Sequence, residues 1–230
     1  MRVVCVTQPQ HPGLPRSRVV RSAVLAPAFT LLATAPHRAL AVPPAQPNPG
    51  QVRLATGAAC TLAVSIWPQF TYNALGGGGN ATVTAGREPG RQYLEFDVAS
   101  VEIPDLSFAT AKVLGLPLPP PLRIAIQPLS LQGWIDRTSG AAELEFHAKF
   151  CFTASSLYKA APLLVATRLT TSKVQGARLQ GEGVPFQGEC CRGRLVGISE
   201  LQPTGDRLLD SFLMLPSQCI AELDAQLSFG

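Results

Sequence analysis

Residues 142–152 read AELEFHAKFCF, and their alternation decides the fold. Leu144, Phe146, Ala148, Phe150 and Phe152 fall on one face of an extended chain, and Glu143, Glu145, His147, Lys149 and Cys151 fall on the other. A period of two is what a half-buried antiparallel strand requires. Residues 218–229 repeat the pattern, with Ala221, Leu223, Ala225, Leu227 and Phe229 set against Glu222, Asp224, Gln226 and Ser228.

Working outward, noisier runs of the same kind lie at 60–74, 80–86, 91–103, 122–135, 163–175 and 193–201. The punctuation between them consists of turn formers, namely Gly76 to Gly79, Pro89-Gly90, Asp136 to Gly140 and Gly181 to Gly183. Asp-Arg-Thr-Ser-Gly at 136–140 joins two long strands and predicts a hairpin. The four glycines at 76–79 lack the Lys-Ser/Thr of a phosphate loop and predict a flexible hairpin tip. Two short helices are expected. Residues 206–215 (DRLLDSFLML) place Leu208, Leu209, Phe212, Leu213 and Leu215 on one stripe, with Asp206 as N-cap and Pro216 as the stop. Residues 105–114 run from Asp105 to just before Gly115, a C-terminal breaker, and a stiff connector, LPLPPPL, follows. The expected fold is all-β and mainly antiparallel, a barrel or two-sheet sandwich of about eight strands with two short helices. One domain is expected over 51–230, with no internal repeat.

Composition bounds the partners. Charged residues make up 15% of the 230 and hydrophobic ones 46%, against roughly 25% charged in ordinary soluble domains. No Asp or Glu occurs before Glu88, and residues 1–41 hold five arginines, so removing them takes the formal charge from +4 to −1. A nearly neutral remainder has no electrostatic footprint for nucleic acid.

Those first 41 residues are expected to be a targeting segment. A basic opening, MRVVCVTQPQHPGLPRSRVVR, leads to an apolar stretch from Ala23 to Ala35 and then to Ala39-Leu40-Ala41, a small-x-small cleavage site. A Pro-rich spacer over 42–50 (VPPAQPNPG) follows. The apolar stretch is broken by Pro27 and bounded by Pro36, and falls short of the ~20 residues a bilayer span needs. No other segment is expected to cross a membrane. In composition the leader resembles the bipartite transit peptides of algal and plant proteins sent to the thylakoid lumen, which implies a chloroplast address. Plain secretion is the alternative, and Asn80-Ala81-Thr82 would then be a glycan acceptor. The strands, with Leu-Asp-Ser-Phe-Leu-Met-Leu-Pro (209–216) before the last of them, resemble an uncharacterised cyanobacterial and plastid family, a resemblance that implies no activity.

Candidate chemistry is sparse, and no catalytic residue or cofactor is assigned. His147 is the one histidine after residue 41 and shares a face with Glu145, Lys149 and Cys151, a pattern that a solvated strand face also gives. Cys60, Cys151, Cys190, Cys191 and Cys219 lack the paired spacings of a zinc site, so no metal is expected. Cys190 and Cys191 are adjacent and a bond between them is strained, so at most one of them, such as Cys190, is expected to pair with a distant partner such as Cys151. Ser156-Leu157-Tyr158-Lys159 matches the Ser-x-x-Lys of penicillin-binding enzymes but lacks its companion motifs. The carboxylate pairs Glu95/Asp97 and Glu143/Glu145 read as outer strand faces rather than a glycosidase pair.

Three functional classes follow. The first is a non-enzymatic binding module with an apolar pocket for a lipid- or pigment-like molecule. The second is an accessory or assembly protein that docks on a thylakoid complex through the apolar segment 105–122. The third, ranked last, is a small lumenal enzyme using His147 or a cysteine. For the first two, Phe108, Val113, Leu114, Leu116 and Leu118 are the ligand or docking residues, on a mobile flap over one end of the β structure.

Overall fold

The computed structural model describes residues 50–64, 66–86, 88–187 and 191–230. The leader (1–41), all but the last residue of the spacer (42–50), and Cys190 with its proposed disulfide lie outside the described residues. In chain order the strands are β1 (Gln51–Thr56), β2 (Cys60–Val64), β3 (Phe70–Tyr72), β4 (Gly78–Ala85), β5 (Arg91–Phe96), β6 (Ala111–Val113), β7 (Leu116–Pro117) and β8 (Leu122–Asp136). They continue with β9 (Ala142–Ala154), β10 (Tyr158–Lys159), β11 (Leu163–Thr170), β12 (Lys173–Gln175), β13 (Gln180–Glu182), β14 (Val184–Gln187), β15 (Arg192–Leu201) and β16 (Ser217–Phe229). One α-helix, α1 (Arg207–Leu213), and a 3-10 turn at Val98–Ser100 complete the set.

All strand pairings are antiparallel, and fourteen strands form one sheet. Eight of them, β15, β11, β9, β8, β5, β4, β1 and β16, close into a ring because β16 also pairs with β15. The ring has a lower end, where β8, β11 and β16 begin. There β16 forks. Its second half pairs with β1, and its first half pairs with β2, from Cys219↔Val64 to Glu222↔Thr61. From β2 a branch runs through β3 to β6 and β7. Across the ring, β5 pairs only with the last residues of β8, and the exposed edge lower on β8 receives Leu106, whose N–H and C=O bond with Ile124 at 3.0 and 2.9 Å. The lower half of the ring is therefore walled partly by segment 101–122.

The two alternating stretches behave as read. In β9, Leu144, Ala148 and Phe152 are buried and His147 and Glu145 are exposed. The helix expected over 206–215 is α1, capped by Asp206, whose carboxylate accepts from Leu208 N and Leu209 N at 3.0 and 3.1 Å. The helix expected over 105–114 is not formed. Thr110 Oγ1 accepts from Ser107 N at 2.9 Å and donates to Asp105 O, closing a local turn; Ser and Thr favour such turns over helix interiors. The β-branched Val113 then pairs with Phe70, and Leu114-Gly115 makes a two-residue hairpin turn. The glycines at 76–79 are likewise not a loose tip. Gly78 and Gly79 lie in β4 opposite Ala55 and Leu54. Gly78 has φ +127°, and a Cβ there would sit 1.9 Å from Leu54 O, so backbone approach demands glycine.

Candidate apolar-ligand site

Inward-facing side chains divide into two clusters. The upper one, around Val52, Leu94, Ile135 and Leu195, is closely packed and buried. The lower one, around Leu106, Phe152, Leu201 and Leu213, leaves a gap. The gap is a cavity of about 240 Å³ that reaches up to Leu54, Leu131 and Leu195 of the upper cluster and is bounded by β1, β2, β3, β8, β9, β11, β15 and β16, by segment 101–122 and by α1. Protein interiors rarely contain voids much larger than one water. Several inward residues on its wall, including Leu62, Phe70, Ile126, Phe150 and Leu223, are only half-buried although they line the interior.

The wall is chemically plain. The exposed Glu102 also lines it, and the hydroxyl side chains of the wall are turned onto backbone carbonyls. Thr56 Oγ1 donates to Ala74 O at 2.6 Å, Thr167 Oγ1 to Ile198 O at 3.1 Å, Ser199 Oγ to Ala166 O at 2.7 Å, and the Tyr72 hydroxyl to Pro104 O. With those hydroxyls already spent, aromatic and aliphatic carbon dominates what the interior offers a guest. Cys219 also lines the space, and burial pushes its thiol up to about 11. An un-ionised thiol is a poor nucleophile at neutral pH. Burial raises Cys60 and Tyr72 as well.

At the lower end the cavity is capped by α1 and by the loop between β2 and β3. Leu213 faces inward and buried, while Trp67 and Phe212 line the cavity and are also exposed. Trp67 Nε1 donates to Phe212 O at 2.9 Å, and their rings lie 4.8 Å apart. This pair forms the mouth. Phe212 was legible on the helix stripe, but Trp67 was missed; Trp-Pro in a loop between two strands was the available signal.

The five sequence-named residues separate. Leu118 is 8% exposed and belongs to the lower cluster, and Val113 packs against it and lines the cavity. Leu114, 78% exposed, and Leu116 and Phe108 face outward. The segment is a sheet extension joined by hydrogen bonds to β3 and β8, with an inner and an outer face. Leu106, which sequence reading did not single out, makes the joint.

The remaining candidates stay apart from the cavity. His147 is exposed on the outer face beside Glu145. Ser156 and Lys159 are exposed at the turn after β9. Asp97 caps the 3-10 turn by accepting from Ala99 N, and Glu143 pairs with Arg168. Cys151 is a half-buried free thiol low on β9, and Cys191 is a free thiol at the upper end of the ring, just before β15. Among the described residues no three His, Cys, Asp or Glu side chains gather as a metal site, and no helix is long and apolar enough to cross a membrane. No protein-family model, curated protein or solved structure matches this chain.

Proposed function

We propose that the chain is a non-enzymatic carrier that holds an apolar, lipid- or pigment-like molecule in the lower half of its ring. The observation that carries this reading is the cavity of about 240 Å³ with its hydroxyls internally satisfied. At ~24 cal/mol per Å³ of void, leaving that space empty costs on the order of 6 kcal/mol, comparable with the whole net stability of a domain, about 5–15 kcal/mol. An apolar guest restores the missing contacts. The basic leader with its Ala-x-Ala site supports a plastid compartment, the thylakoid lumen, as the place of action; N-terminal sequencing of the protein from its source should begin at Val42.

The test is extraction of the purified full chain with organic solvent, followed by mass spectrometry, and titration of the extracted protein with a fluorescent long-chain polyene acid. Stoichiometric recovery of one apolar compound and saturable probe binding are expected. An empty extract with no probe uptake overturns the reading. The outward Leu114 and Leu116 favour a second reading, an accessory protein docking through segment 105–122. It predicts co-purification of a partner that Leu116→Asp releases.

A further inference from the structure

The lower end carries most of the exposed large apolar side chains among the described residues. Trp67 stands at the β2–β3 loop, and the register Phe70↔Val113 brings the β6–β7 tip, with Leu114 and Leu116, alongside it. Helix α1 adds Leu208 and Phe212, and Met214 follows at its end. The turn after β9 presents Leu157, 95% exposed, and is tied to α1 where the Tyr158 hydroxyl donates to Asp206 Oδ1 at 3.0 Å.

Two of these residues hold the left-handed backbone that glycine or asparagine takes readily, Leu114 at φ +50° and Met214 at φ +51°. An L side chain there costs about 1 kcal/mol or more, yet both positions carry a large apolar group pointed at solvent. Neither lines the cavity, so neither is repaid by packing around a guest.

Near this end the carboxylates are engaged: Asp105, beside Leu106, pairs with Arg123, Glu200 near the end of β15 accepts from Gln218 Nε2 at 3.0 Å, and Asp206 and Asp210 serve α1. Asp206 accepts from the first turn of α1, and Asp210 accepts from Thr204 N and Gly205 N at 2.8 and 3.0 Å. Lys159 and Arg207 are exposed there without such engagement. An apolar rim with an interfacial tryptophan and outward cations complements an anionic lipid surface.

We propose that this end docks on an anionic lipid bilayer, which places the Trp67–Phe212 mouth in the acyl region. The proposal rests on the carrier reading, and it gives that reading a route: a guest that avoids water passes between bilayer and cavity without crossing solvent. Rim and cavity are continuous because Trp67 and Phe212 belong to both.

The test uses the full chain as wild type and as the double variant Leu114→Asn/Met214→Gly, whose backbones favour the new residues. Both are floated with vesicles of phosphatidylcholine containing phosphatidylglycerol, and with phosphatidylcholine alone. Each is also melted, sized by gel filtration and titrated in solution with the polyene acid. Wild type should float with the anionic vesicles. The variant should lose about tenfold or more in vesicle partitioning, with its melting temperature kept or raised and its probe affinity kept. Failure of wild type to float, or equal flotation of the variant, overturns the proposal. So does a wild-type dimer that the variant converts to monomer, since the rim would then join two copies. Probe uptake without flotation leaves the carrier reading standing and removes this one; flotation lost by the variant, with no probe uptake by either protein, does the reverse.

Discussion

Leu116 and Leu118 stand two residues apart in one Pro-rich connector and answer to different physics. Leu118 is buried among Leu106, Ile124 and Phe152, whereas Leu116 lies outside. Leu118→Asp should cost about 3 kcal/mol or more in urea denaturation, because it buries an unpaired charge, and Leu116→Asp should stay within about 0.5 kcal/mol. Equal losses at the two positions would mean that the hairpin is inserted more deeply. The buried titratable groups give a second expectation. Cys219 ionises near 11 when folded and near 9 when unfolded, and Cys60 and Tyr72 are shifted in the same direction by burial. Between pH 9 and 11 the unfolded chain gives up the Cys219 proton while the folded chain keeps it, so stability falls as pH rises across that window, and Cys60 and Tyr72 act with the same sign. Urea midpoints at pH 8 and 10.5 should differ in that direction, and Cys219→Ala should narrow the difference.

Helix α1 is seven residues long and depends on its cap and on the cavity wall rather than on its own propensity. Asp206→Ala removes the acceptor for two backbone N–H groups and for the Tyr158 hydroxyl. It should lower stability by about 1–2 kcal/mol and speed release of the polyene probe in stopped-flow displacement, since α1 covers the mouth. Slower or unchanged release would place the exit elsewhere. This helix was legible because a stripe, an N-cap and a stop agreed, just as strict alternation made β9 and β16 legible. Segment 105–114 misled because its apolar spacing and Gly115 imitate a helix, while what decides it is nonlocal: a free edge on β3 for Val113 and a free edge on β8 for Leu106. The run at 60–74 likewise read as continuous, although the chain leaves the sheet after Val64 and returns at Phe70. β1 has only six residues and weak alternation, and it becomes a strand because β4 and β16 flank it.

For the molecule as a whole, the apolar content that sequence reading set against a low charge is spent in part on an unfilled interior. Ala221 lies on the cavity wall in the middle of β16. Ala221→Leu should raise the stability of the ligand-free protein by about 0.5–2 kcal/mol in thermal melts and weaken probe binding at the same time. A variant that melts lower would show that the space is already closed. Legibility stops at this scale, because an alternating strand reports which face points inward and not how completely the interior is filled. β16 is also the strand on which both closures converge, since β15, β1 and β2 all need it. Val52 finds Phe229 across nearly the whole described chain, so during synthesis β1, β2 and β15 each wait with an open edge until residues 217–229 have left the ribosome. Stalled nascent chains ending at residue 216 should remain fully protease-sensitive, and those extended well past 230 by a linker should become resistant. For some time after translation starts, then, the polypeptide exposes unpaired strand edges that invite wrong pairing, and its last strand is the latch that ends that state.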